Sequence, residues 1–249
     1  MIISFVQTKG GTGKSTLALN TAFSNHMNSA YGSVALVELD PQGTLRSWWD
    51  ERSELGRDSG RVSFHHISST QKEVFADGIR SIAAHNDLII MDIPGESTGK
   101  LHTRFACAVS DLVIIPMRTS TNDEAAFADN LYPIIKEIIK IDPAKKRCFH
   151  VLPSFTHPKA NIDTIVGYFT DILPPLVGCL RAIYPDRSVY ENFNRDGTTL
   201  EEYAHSVRDN KRNLKQAVSA AGDVERIAET ITQMLEKKHV TAQKEKKAL

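Results

Sequence analysis

Residues 5–16 read "FVQTKGGTGKST". The apolar run "IISFVQ" leads into this stretch, and helical spacing over 14–28 follows it. A glycine-rich turn between a strand and a helix gathers backbone N–H groups and a helix N-terminus, a combination that holds an anion. Gly10, Gly11 and Gly13 let the backbone close around phosphate oxygens, where a Cβ would clash or a positive φ is needed. Thr12 completes the cradle. Lys14 supplies a point charge for β- and γ-phosphates, and Ser15 offers a hydroxyl suited to direct Mg²⁺ coordination. Thr16 adds a hydroxyl for an α-phosphate. Lys9 stands five positions before Lys14, and phosphate binding alone does not require it.

Outward from this loop, short apolar runs alternate with longer amphipathic ones. "IISFVQ", "SVALVEL", "VSFHHI", "DLIIMDI", "DLVIIPM", "CFHVLP" and "CLRAI" read as strands, several apolar throughout as in strands covered on both faces. Helices are predicted over 14–28, 44–54, 71–85, 123–141, 162–173 and 206–236. The alternation implies an α/β fold with a mostly parallel twisted sheet and helices on both faces. No repeat or Pro/Gly/Ser-rich linker divides the chain, so one domain is expected over 1–236, followed by a lysine-rich flexible tail over 237–249.

Bulk properties exclude several classes. The chain has 249 residues, long enough for a large core without disulfides or metals. Charged residues are 24% and balance to zero, so nucleic-acid or membrane binding would need a local patch. Cys107, Cys148 and Cys179 form no CxxC pair, which argues against a zinc site or redox dithiol and for small buried hydrophobes in a reducing compartment. The nine histidines lack metal-ligand spacing, and His65 and His66 alternate on a strand. In "RSWWDER", one tryptophan is expected in the core and its neighbour at the surface or an interface. No apolar run approaches the ~18 residues of a spanning helix, and the N-terminus lacks the pattern of a signal peptide.

Two carboxylates join the loop. "VALVELDPQGT" ends a strand in Asp40, and "NDLIIMDIPGE" ends another in Asp92. A carboxylate at the C-terminal end of a buried parallel strand suits Mg²⁺ through a bridging water. Gly95 then offers a backbone N–H to a γ-phosphate as a switch. Asp40, on its residue type alone, also suits a helix cap.

The loop departs from G-x-x-x-x-G-K-[ST], because position 8 is Thr; the chain has K-G-G-T-G-K-S-T. With "LDPQG" and "IIMDIPG", it resembles the deviant Walker A ATPases, P-loop NTPases that include ParA-type DNA-partition proteins, MinD, the nitrogenase iron protein and anion-pump ATPases. The resemblance implies that Lys14 holds the chain's own ATP with Mg²⁺. Lys9 would be the signature lysine that reaches across an ATP-bound homodimer, supplying charge much as an arginine finger does. It implies that Asp40, matching the second aspartate of D-x-D-P-Q-G, positions the attacking water. Glu38 replaces the first aspartate of that motif. "AIYPDRSVYENFNRDGTTLEEYAHS" resembles the ParA-type C-terminal region and implies Pro185 beside the adenine.

Features missing from the chain narrow the family. An iron-protein cysteine would fall near Ser97 and Thr98, and cluster carriers have a C-terminal CxxC. A tyrosine-rich tail would mark bacterial tyrosine kinases. A MinD-type anchor needs bulky apolar residues, and 237–249 offers only Val240 and Leu249. The resemblance is therefore strongest to short, ParF-like partition ATPases. It implies slow hydrolysis stimulated by a ParB/ParG-type centromere-binding partner, nonspecific DNA binding, no membrane, and a cytoplasmic, nucleoid-associated protein. The DNA candidates are Arg208, Lys211, Arg212 and Lys215, spaced to share one helix face. Two other readings share these motifs: a positioning ATPase for a protein cargo or a MinD-like regulator, and a nucleotide-gated binding module with little turnover.

Overall fold

The computed structural model describes residues 1–57, 60–95 and 100–247, with side chains through 237. The strands are β1 (Ile2–Phe5), β2 (Val34–Glu38), β3 (Val62–His66), β4 (Leu88–Asp92), β5 (Leu112–Met117), β6 (Phe149–Thr156), β7 (Gly178–Cys179) and β8 (Tyr184–Pro185). They form one sheet in the order β3-β2-β4-β1-β5-β6-β7, with β8 also on β6. Every pairing is parallel. The expected fold class is the one observed.

The helices are α1 (Lys14–Ala22), α2 (Asn25–Ala30), α3 (Thr44–Glu54), α4 (Lys72–Ala83), α5 (Lys100–Val109), α6 (Thr121–Ala126), α7 (Tyr132–Ile141), α8 (Ile162–Ile172), α9 (Leu200–Ser206) and α10 (Lys211–Lys247). Alternate strand residues feed two cores. Ile3, Phe5, Leu36 and Ile90 pack with α1, α2, α3, α9 and α10. Val37, Ile89, Met91 and Val113 pack with α4, α5, α7 and α8. Burial on both faces explains the near-continuous apolar strands. The loop after β1 opens between β4 and β5, where strand order reverses and ligands bind in such sheets.

Several predicted elements differ. The helix over 14–28 is two helices, because Ser24 ends one and caps the next, its Oγ accepting from Met27 N at 3.2 Å. The helix over 123–141 starts at Thr121 and carries a π-helical turn, Phe127–Leu131, just before Pro133. A proline lacks the N–H that a regular α-turn would use there. Of "CLRAI" only Cys179 lies in a strand, as the last residue of β7, and α5 has no counterpart in the predicted elements.

The predicted helix over 206–236 breaks at 207–210. Asn210 caps α10 by accepting from Asn213 N at 3.1 Å. The backbone of α10 stays helical through Lys247, where a flexible tail is expected from 237. Ala, Gln, Lys and Glu at 242–247 are all good helix formers. Trp48 is buried and donates through Nε1 to the Thr198 carbonyl at 3.1 Å, while Trp49 is half-buried and stacks on Phe64. Burial pushes the Cys107 and Cys179 thiols up to about 12, which keeps both protonated.

Candidate functional site

The glycine-rich turn takes the conformation its glycines allow. Gly11 and Gly13 have φ of +69° and +80°. A Cβ on Gly13 would lie 3.1 Å from the Tyr184 ring, so β8 packs directly beside the loop and carries Pro185 with it. The Lys9 carbonyl closes the loop from inside, accepting from Thr12 Oγ1 at 3.5 Å and Lys14 Nζ at 3.3 Å.

Lys14 is almost fully buried and faces Asp92 and Asp40. Burial lowers its pKa, and the two carboxylates work against that fall. Asp92 is also buried, and Ser15 hydrogen-bonds its carboxylate. Burial raises Asp92 to about 7, and Ser15 and Lys14 limit the rise. Asp92 Oδ1 is buried without a hydrogen-bond partner. A buried carboxylate oxygen beside a serine hydroxyl, at the floor of an anion cradle, fits a hard divalent cation. Ser15 and Asp92 would hold Mg²⁺, and the glycine turn with Lys14 would hold phosphates.

Gly95 rests on the loop from above. A Cβ there would sit 2.8 Å from Lys14 Nζ, 3.2 Å from the Lys9 carbonyl oxygen and 3.3 Å from Gly10 Cα. Gly95→Ala is expected to push the segment off the loop and weaken nucleotide affinity about tenfold or more. Titration with a fluorescent nucleotide measures this, and unchanged affinity would mean that the contact does not persist with nucleotide bound. Ser97 and Thr98 lie outside the described residues. Among the described residues, no group of three or more His, Cys, Asp or Glu could hold a metal ion.

Lys9 points away from the carboxylate cluster. Its half-exposed ammonium is paired with Asp123, whose side chain is fully buried at the start of α6. Asp123 also accepts from Arg118 N at 3.1 Å. Burial raises the Asp123 pKa, but the Lys9 hydrogen bond and the Arg118 N–H outweigh it, and the net shift is down. Beside this pair, Arg118 donates through Nη2 to the Gly11 carbonyl at 2.9 Å and lies 3.9 Å over the Phe155 ring. Phe155 adopts a φ of +53°, uncommon for a bulky residue. Sequence reasoning did not single out Asp123, Arg118 or Phe155. They reach the loop from far along the chain: Arg118 from just past β5, Asp123 from the start of α6 and Phe155 from β6.

Asp40 occupies a tight turn after β2. Its Oδ1 accepts from Gln42 N at 2.9 Å, and its carbonyl accepts from Gly43 N at 3.1 Å. Glu38, the departure from D-x-D, is buried and caps α3, accepting from Leu45 N at 2.8 Å and Arg46 N at 3.0 Å. Burial raises the Glu38 pKa, and these two N–H groups pull it back. Capping of α3 therefore belongs to Glu38, and Asp40 lies one turn earlier.

The proposed cationic face is not one face. Arg208 falls in the break before α10 and lines a cleft of about 330 Å³ with Glu201, His205 and Glu225. Arg212 borders a separate groove with Glu191 and Arg195. Lys211, Arg212 and Lys215 remain exposed on the first turns of α10. The residue that stops the helix is Asn210, whose side chain favours caps over helix interiors. No described helix is long and apolar enough to cross a membrane.

Comparisons with known proteins bear on the family and the fold. The model of the CobQ/CobB/MinD/ParA nucleotide binding domain matches residues 3–246. Protein ParA of Rhizobium radiobacter is 23% identical over 223 residues, covering 88% of this chain and 92% of the relative. An ATP complex of McdA from Cyanothece superposes with a TM-score of 0.58 at 13% identity, covering 90% of this chain and 95% of that one. The septum site-determining protein MinD of Pyrococcus horikoshii OT3, complexed with Mg-ADP, also gives 0.58, at 16% identity and 91% and 96% coverage.

Proposed function

Because the chain belongs to the CobQ/CobB/MinD/ParA nucleotide-binding domain family, we propose that it is an Mg²⁺-dependent ATPase of the ParA type. It forms an ATP-sandwich homodimer, binds DNA without sequence preference and drives plasmid or chromosome partition with a centromere-binding partner protein. The observation that carries the reading is the division of labour between the two lysines of the loop. Lys14 is buried among Asp92 and Asp40 and serves its own nucleotide. Lys9 lies on the outer side of the same loop, half exposed, and its ammonium is paired with Asp123. A half-exposed cation at the mouth of a phosphate site is placed to serve a nucleotide approaching from outside.

Mg²⁺, when bound, neutralises charge on the phosphate oxygens during transfer. Ser15 and Asp92 would hold it, and the amides of Gly10, Gly11, Thr12 and Gly13 with Lys14 and Thr16 would bind and orient the phosphates. Gly95 reports the γ-phosphate through its backbone. Pro185, on the strand beside Gly13, flanks the base. Asp40 orients the attacking water and takes its proton as the γ-phosphorus bond forms and the bond to the ADP oxygen breaks. Lys9, exchanging Asp123 for the partner subunit's phosphates, stabilises charge that develops only in the transition state. Turnover is slow until the dimer and its partner protein complete the site, which suits a timer for DNA release in a cytoplasmic, nucleoid-associated protein.

The test is DNA binding with ATP, with ADP and without nucleotide, across a salt series. ATP alone should support binding, and log affinity should fall with log salt at a slope of about −5, the share of about six clustered cations in a dimer at about −0.9 each. Replacing Lys211, Arg212 and Lys215 together by alanine should weaken binding to all sequences alike and flatten the slope. Arg208→Ala should leave it unchanged, because that side chain sits beside Glu201 and Glu225. No ATP-dependent binding even at low salt would remove the DNA-riding mechanism and replace it with positioning of a protein cargo.

A further inference from the structure

The C-terminal ends of three adjacent strands place His66, Glu38 and Asp92 in one row: Glu38 is in register with His66 on β3 and with Asp92 on β4. Glu38 and Asp92 already have work, in capping α3 and at the cation site. His66 has a separate contact. Its Nε2 lies 3.0 Å from the carbonyl oxygen of Asp40. A carbonyl can only accept, so Nε2 carries the proton. β3 is the edge of the sheet, with β2 as its only strand neighbour among the described residues.

We propose that His66 is a positioning residue for Asp40, anchoring from β3 the turn that carries the water-orienting carboxylate. The turn is closed internally, by Gln42 N on Asp40 Oδ1 and Gly43 N on the Asp40 carbonyl. Those bonds give the turn its shape but do not aim it at the loop. Aim requires contacts with the rest of the fold. On one side Glu38 holds the start of α3, two to three residues past Gly43, through Leu45 N and Arg46 N. On the other side, the bond from His66 reaches Asp40 itself. Pro41 and Gln42 are exposed. His66 grips the backbone carbonyl, so the carboxylate stays available for water. An error of about 1 Å in the placement of such a group costs about 10²-fold in rate.

The inference rests on the ATPase reading, and its test separates the two. Single-turnover hydrolysis of ATP by excess protein is measured for the parent and for H66A, H66Q and H66N, with nucleotide affinity measured alongside. The glutamine amide nitrogen reaches as far as Nε2, and the asparagine amide falls short. H66A and H66N should lose about 10- to 100-fold in rate while nucleotide affinity stays within about twofold. H66Q should recover most of the rate. With a bound non-hydrolysable ATP analogue, the amides of residues 39, 40 and 42–46 should be protected from hydrogen exchange in the parent and H66Q, and less so in H66N. The Gln–Asn contrast carries the test even if H66A folds poorly. H66A and H66N at the parental rate would overturn the role of His66 and leave the ATPase reading standing. H66Q as slow as H66N, or equal losses in affinity and rate, would make His66 merely structural. No hydrolysis by the parent, with or without DNA, would overturn the ATPase reading and this inference with it.

Discussion

Lys9→Ala is expected to bind ATP within about threefold of the parent and to lose about 10³-fold or more in stimulated hydrolysis, the range set by a cation supplied to the transferring phosphoryl group. The expectation follows from where Lys9 sits. Its ammonium does not join Lys14, Asp92 and Asp40; it is bound to Asp123 on the far side of the loop. Removing it takes nothing from the chain's own phosphate cradle. It does leave Asp123 buried with, among the described residues, the Arg118 N–H and the turn of Ser120 to offset its charge, so the Asp123 pKa should rise. Unchanged ATP affinity with lost turnover would be the mark of a transition-state role. Loss of affinity and turnover together would mean that the ion pair simply holds the loop in shape. The measurement is nucleotide titration beside phosphate release, with DNA and the partner protein present.

The parts of this fold that could be read in the sequence are those whose chemistry acts over a few residues. The glycines and Lys14 of the loop, and the apolar strands that bracket it, declare themselves because each residue type is demanded locally. The parts that could not be read depend on long-range contacts or on weak local signals. Lys9 and Asp123 are 114 positions apart. Nothing near Asp123 distinguishes it from an ordinary acidic first-turn residue of a helix. Glu38 reads as a departure from an aspartate motif. Only the fold reveals that its longer side chain reaches the amides of Leu45 and Arg46. α5 escaped although its buried residues recur at helical spacing, because His102, Thr103, Ala106 and Cys107 include no large aliphatic or aromatic side chain. The cationic row at 208–215 failed for the opposite reason. Its spacing is helical, but Asn210 favours a cap, and that local preference splits the row. The local signal for the break is Asn210 itself, a residue type that starts helices.

Asp40→Ala should produce the complementary defect. Loss of a general base typically costs about 10² to 10⁴ in rate. Among the described residues the Asp40 side chain hydrogen-bonds only within its own turn: Glu38 caps α3, and the Asp40 carbonyl keeps its partners after the side chain is shortened. Folding and ATP binding should therefore be nearly parental, and the protein should collect as an ATP-bound dimer that holds DNA and does not let go. Mixing then tests the whole scheme. In a twofold ATP sandwich, each site combines Asp40 of one subunit with Lys9 of the other. A heterodimer of Lys9→Ala and Asp40→Ala subunits has one site with both groups lost and one with both intact. Mixing two inactive proteins should restore about a quarter of the parental rate, the statistical share of intact sites when subunits exchange freely. If Lys9 instead served its own nucleotide, every site in the mixture would lack one group, and mixing would restore nothing. The same mixture should release DNA that the Asp40→Ala protein alone retains. Recovery of hydrolysis without recovery of DNA release would uncouple the two and leave the enzyme without its proposed use as a timer.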